Sequence, residues 1–184
     1  NIGPVLSEFN LNKFLENNNK NFQYKLSPIY KAIEITRKKL SKEKSLISFI
    51  GAPWTLLVYM LNLKKNKSEI NIMKIEKFKL DIDLILENLV NYLCLHIENQ
   101  INAGADLVQI FDSWAGLLDN QDIYKFCYEP NLKLVDFCKS KKIPVICFPK
   151  GIEKRYLDFC NLVRLGKCYF CFSSIETNIN ILSL

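Results

Sequence analysis

The run Ala103-Gly104-Ala105-Asp106-Leu107-Val108-Gln109-Ile110-Phe111-Asp112-Ser113-Trp114-Ala115-Gly116 constrains this chain more than any other stretch. It reads as a helix ending at Gly104, a buried strand through Leu107 to Phe111, and a stop. A short apolar strand entered from a helix and lacking alternation asks for neighbours on both sides and cover on both faces. Parallel α/β layers supply both. In such folds ligands gather where the strands end. There this chain places a carboxylate, a hydroxyl and an indole in succession: Asp112, Ser113 and Trp114.

The flanking segments extend the pattern. Upstream, Ile82, Leu86, Leu89, Leu93, Ile97 and Ile101 recur at steps of three and four, one apolar stripe along a helix that leads into the strand. Asn10 to Asn21 reads as a small surface helix. Ser27-Pro28 predicts a helix start, Ser as the cap and Pro at the first helical position. Leu46 to Ile50 predicts a strand stopped by Gly51-Ala52-Pro53, Trp54 to Leu63 a helix, and Lys64 to Ser68 a solvated loop. Then come a helix from Ile123 to Lys141, a strand Pro144 to Phe148, a helix Glu153 to Leu165, and a last strand Cys168 to Phe172. Four strands separated by helices fit either a doubly wound sheet or half of a (β/α)8 barrel. A complete barrel takes about 250 residues, and this chain has 184.

Composition narrows the function classes. Hydrophobic residues make up 49% and charged residues 24%, the profile of a globular domain. The net charge is +6, carried by Lys pairs such as Lys38-Lys39, Lys64-Lys65 and Lys141-Lys142. Arginine and aromatic interleaving is missing, so no nucleic-acid partner is expected. Solvated surface explains the lysines, and a field for a polyanionic small molecule is the sharper reading. Seven scattered cysteines read as free thiols of a reducing, cytoplasmic setting. Cys168-x-x-Cys171 has metal-like spacing, but strand alternation separates its thiols and no further ligands lie near. We expect no metal and no membrane span.

Among single residues, Tyr59 lies about one and a half turns into the helix after Gly51-Ala52-Pro53, from where its phenol can lean back over the strand end. A core tyrosine with a satisfied hydroxyl fits equally well. Ser113 serves either as a ligand contact or as a helix cap, and Asp112 can simply hold a turn. The one histidine, His96, sits mid-helix beside the apolar stripe and reads as structural. No G-x-S-x-G elbow, H-E-x-x-H, P-loop or G-x-G-x-x-G is present.

Gly51-Ala52-Pro53-Trp54-Thr55-Leu56, Tyr59-Met60, and Ala103 to Gly116 together resemble the uroporphyrinogen decarboxylase family. Gly3-Pro4-Val5 and Pro144 to Gly151 match it as well, in order and spacing over about residues 2–152. The resemblance implies an α/β fold, a partial (β/α)8 TIM barrel of parallel strands with crossover helices. Residues 1–184 would then be a single, incomplete barrel domain, an internal piece with N-terminal and C-terminal parts missing. It implies a cofactor-free carboxy-lyase of haem biosynthesis, usually homodimeric. Such an enzyme removes the four acetate carboxyl groups of uroporphyrinogen III to give coproporphyrinogen III. Tyr59 and Ser113 match substrate-binding positions, and Phe111 a position lining the pocket. Asp112 and His96 do not match the family's catalytic aspartate and late histidine, which would lie outside this chain. Asn62 to Lys67 replaces a Gly-rich loop. Related readings are a corrinoid-dependent methyltransferase, which would need a zinc ligand set, and a non-catalytic tetrapyrrole-binding module.

Overall fold

The computed structural model describes residues 14–16, 18–66, 69–73, 75, 81–164 and 170–171. Four strands form one parallel sheet: β1 (Ile47–Gly51), β4 (Leu107–Asp112), β5 (Val145–Pro149) and β6 (Phe170–Cys171), hydrogen-bonded in that order. Between them run the helices α2 (Pro53–Met60), α3 (Ile82–Asn102), α4 (Glu129–Ser140) and α5 (Tyr156–Arg164), while α1 (Asn19–Lys39) precedes β1. This is an α/β fold of parallel strands, as the apolar runs predict.

Helix α3 follows its stripe closely. Ile82, Leu86, Leu89, Leu93 and Ile97 are all buried, and the helix packs against β1, β4 and α4. The Asp81 carboxylate accepts from Leu84 N at 3.0 Å and caps its start. At the far end Gly104 takes φ 107°, and Ala105 N bonds to Gln100 O across the last turn. The chain then turns at Asp106, which accepts from Leu46 N and from Arg37 of α1. One carboxylate thus holds α1, the entry to β1 and the entry to β4.

Three elements differ from the sequence reading. Helix α1 begins at Asn19, capped by Asn18, and runs through Ser27-Pro28 instead of starting there. Proline deprives the Tyr24 carbonyl of its donor, and the Ser27 hydroxyl supplies a replacement at 2.7 Å. Lys64–Asn66 is not a loop but β2, an exposed strand that pairs antiparallel with β3 (Glu69–Ile70). The helix at Ile123 opens with a π turn, Tyr124–Tyr128, before α4. Gly3-Pro4-Val5, Asn10 to Lys13, Lys67, Ser68, Cys168 and the outer residues of the last predicted strand lie outside the described residues.

Burial alternates along β1 and β4, where the sequence reads as covered on both faces, whereas Val145, Ile146 and Cys147 of β5 are all buried. Ser48, Ile50, Val108 and Ile110 are sealed beneath helices, while Ile47 and Phe49 on the other face are 48% and 67% exposed. The register carries this bare face across the sheet, from Phe49 beside Gln109 to Phe111 beside Phe148. The rings of Phe49, Phe111 and Phe148 meet edge to face, with centroids 6.0 and 5.9 Å apart.

Candidate functional site

The carboxyl ends of β1, β4 and β5 are drawn together by backbone bonds. Ala52 N donates to Phe111 O at 2.8 Å, and Lys150 N donates to Asp112 O at 3.0 Å. Gly116 N then returns to Lys150 O at 2.9 Å. At Gly116 the two loops touch so closely that an added Cβ would stand 2.5 Å from Gly151 O. Arg155 secures the same loops by donating to Leu118 O at 2.6 Å.

Beneath this rim, on the helix-covered face, lies Asp112, 1% exposed. Its Oδ1 accepts from Thr55 Oγ1 at 2.8 Å and its Oδ2 from Asn131 Nδ2 at 3.0 Å. Burial pushes the carboxyl up to about 6, against the opposing pull of hydrogen bonds from Thr55, Cys127 and Asn131. Thr55 is one helical turn before Tyr59 on α2, and Asp112 immediately precedes Ser113 on β4. The latch therefore fixes the two elements that carry Tyr59 and Ser113. Sequence reasoning missed both partners. Thr55 lay within a cluster already singled out, whereas Asn131 sits beyond the π turn, where nothing local announces it.

The side chains on the solvent side of the rim gather around Trp114. Tyr59 is 46% exposed, and its ring meets Trp114 edge to face at 6.1 Å. Lys64 Nζ lies 5.4 Å from the centre of the Trp114 ring. Trp114 itself is 8% exposed, its carbonyl accepting from Trp54 Nε1 at 3.2 Å. Its own indole N–H is buried and has no acceptor among the described residues. Ser113 is exposed, and the 3-10 turn Ala115–Leu117 that follows uses no side-chain cap. Phe111 is half-buried on the bare face, in register with Phe148. Lys64, read from the sequence as solvated, thus joins Tyr59 through the indole between them.

His96 lies elsewhere, between α1 and α3. The Gln100 amide donates to Nε2 at 3.0 Å, so Nδ1 carries the proton and faces the Tyr30 hydroxyl, also at 3.0 Å. Burial holds the imidazole down at about 4, hence neutral near pH 7. Cys127, Cys138 and Cys147 are buried and not joined in disulfides. Among the described residues no three His, Cys, Asp or Glu side chains stand together as a metal site, and no helix is long and apolar enough to cross a membrane.

The family model for uroporphyrinogen decarboxylase (URO-D) matches residues 2–178, nearly the whole chain. The chain belongs to the uroporphyrinogen decarboxylase family. Among its relatives are proteins named uroporphyrinogen decarboxylase from three bacteria. That of Orientia tsutsugamushi (strain Ikeda) is 45% identical over 139 residues, covering 72% of this chain and 40% of the relative. That of Rickettsia bellii (strain RML369-C) is 38% identical over 168 residues, covering 86% and 48%. That of Campylobacter jejuni (strain 81-176) is 43% identical over 143 residues, covering 76% and 42%. The chain thus spans less than half the length of these uroporphyrinogen decarboxylases.

Proposed function

We propose that this chain is one arc of a (β/α)8 barrel that decarboxylates uroporphyrinogen III to coproporphyrinogen III in haem biosynthesis. The observation that carries the reading is the rim itself. The carboxyl ends of parallel strands bring Tyr59, Ser113 and Trp114 to one edge, with Phe111 turned onto the bare face just below. A bare face with three edge-to-face phenylalanines suits the interior of a barrel, where inward side chains fill the centre and the ligand lies at the mouth.

In this reading each of the four acetate arms loses its carboxyl group as carbon dioxide after protonation of the adjacent pyrrole carbon turns the ring into a cationic electron sink. A proton delivered to the exposed methylene carbon, with loss of the ring proton, leaves a methyl group. Tyr59 and Ser113 hydrogen-bond carboxylate arms of the substrate, and Phe111 packs against the macrocycle. Asp112 is not the acid or the cation's counter-charge, because Thr55 and Asn131 hold its carboxylate on the covered face. The rest of the barrel supplies those groups. We further infer a single cytoplasmic domain that pairs as a homodimer and needs no cofactor.

The test is conversion of uroporphyrinogen III by the full-length protein, read by chromatography of the oxidised products. Tyr59→Phe and Ser113→Ala each lower kcat/KM about tenfold, the loss of one hydrogen bond to a charged group. The melting temperature stays unchanged, since both side chains are solvent-facing. Wild-type kinetics in both variants overturn the site assignment. Normal turnover by the 184-residue chain alone overturns the partial-barrel reading.

A further inference from the structure

Strand β2, paired antiparallel with β3, carries two neighbouring lysines with different surroundings. Its base is fixed: Leu63 is fully buried, its N–H bonds to Val58 O at 2.9 Å, and its carbonyl accepts from Asn71 N at 2.8 Å. Strand alternation then sends consecutive side chains to opposite sides. Lys65 pairs with Glu69 at 2.6 Å and is neutralised within the hairpin. Lys64 has no carboxylate partner among the described residues and stands over Trp114 instead. A lysine without a carboxylate partner beside an aromatic rim is a cation open to an anionic group. Tyr59, in edge-to-face contact with the same indole, adds a phenol to the rim.

We propose that Lys64, held over the Trp114 ring beside Tyr59, forms a carboxylate subsite and pairs with one acetate or propionate arm of the tetrapyrrole. The proposal rests on the function proposed above and names a specificity contact for it. It makes Lys64 a recognition residue for polycarboxylates.

The experiment compares Lys64→Gln, Lys64→Arg and Lys65→Gln in the full-length protein by two measurements. One is steady-state decarboxylation of uroporphyrinogen III. The other is titration with uroporphyrin III, the oxidised and unreactive octacarboxylate, followed by its visible absorption. Lys64→Gln raises KM and the uroporphyrin Kd about fivefold with kcat unchanged, the scale of a partly exposed charge-assisted contact. Lys64→Arg stays within about twofold of wild type, as does Lys65→Gln. Added salt weakens wild-type binding more than that of Lys64→Gln. Lys64→Gln matching Lys65→Gln in both measurements, in an enzyme that turns over, overturns the subsite and leaves the function standing. Absent turnover with Lys64-dependent uroporphyrin binding overturns the function and keeps the subsite. Neither turnover nor Lys64-dependent binding overturns both.

Discussion

On one side of the sheet Ile50, Val108 and Ile110 lie within 3% of full burial beneath α2 and α3, and even the one carboxylate there is latched by Thr55 and Asn131. On the other side Ile47 and Phe49 stand 48% and 67% exposed, although they are as apolar as their covered neighbours. Ile47 and Ile50 are the same residue type on opposite faces of one strand, and their neighbours make the difference. A side chain's hydrophobicity therefore reports what surrounds it in the complete assembly, while its present worth to stability follows the area now removed from water. The covered face holds this chain together, and the exposed residues of the other face add little to that.

Ile110→Ala gives the largest expected contrast. It empties the centre of β4 on the covered face and lowers the unfolding free energy of this chain by about 4 kcal/mol, measured by urea denaturation. A loss under about 1 kcal/mol breaks the claim that this face carries the stability.

Next comes the buried carboxyl. Asp112 titrates at about 6 when folded and at an ordinary 3.8 when unfolded, so the native state holds the proton more tightly. Below about pH 4 both states are protonated and Asp112 costs nothing. Between about pH 4 and 6 the unfolded state ionises while the native carboxyl stays protonated, so its contribution falls by on the order of 3 kcal/mol. The fall ends once the native group ionises as well. Asp112→Asn keeps an acceptor for Thr55 and cannot ionise. The wild-type minus variant difference in stability should decline between pH 4 and 6 and run flat above. A difference that is flat throughout removes the electrostatic contrast between the faces.

The smallest effect is expected on the bare face. Phe49→Ser changes this chain's stability by less than about 0.5 kcal/mol, because the ring is mostly in water already. The same substitution in the full-length protein costs several-fold more if the barrel reading holds. Equal, small losses in both settings leave the bare face a true surface.

The sequence was most legible where one physical rule acted alone. Helix α3 has an unbroken three-and-four stripe, and the central strands are apolar runs ended by Gly, Pro or Asp. Reading failed where two rules competed. Ser27-Pro28 has the chemistry of a helix start, yet Ser27 repairs the bond that Pro28 breaks and the helix continues. Lys64 to Asn66 has no alternating apolar residues, because β2 is stabilised by its partner strand and by Leu63 rather than by burial of its own side chains. Exposure at Ile47 and Phe49 was hidden for a different reason: both are residues suited to cover that the described chain does not provide. Of the candidate site, the strand ends were visible, but the meeting of Lys64 with Trp114 depends on a hairpin register that no local pattern encodes.

Strand β1 has one further consequence. Among the described residues it is paired on one side only, to β4. Its Ile-Ser-Phe-Ile-Gly sequence has neither a charged residue nor a proline to discourage a second strand. An unpaired edge of this kind is a template on which another strand can form. If the barrel reading holds, the interval between making β1 and covering that edge is the stage at which mispairing competes with folding.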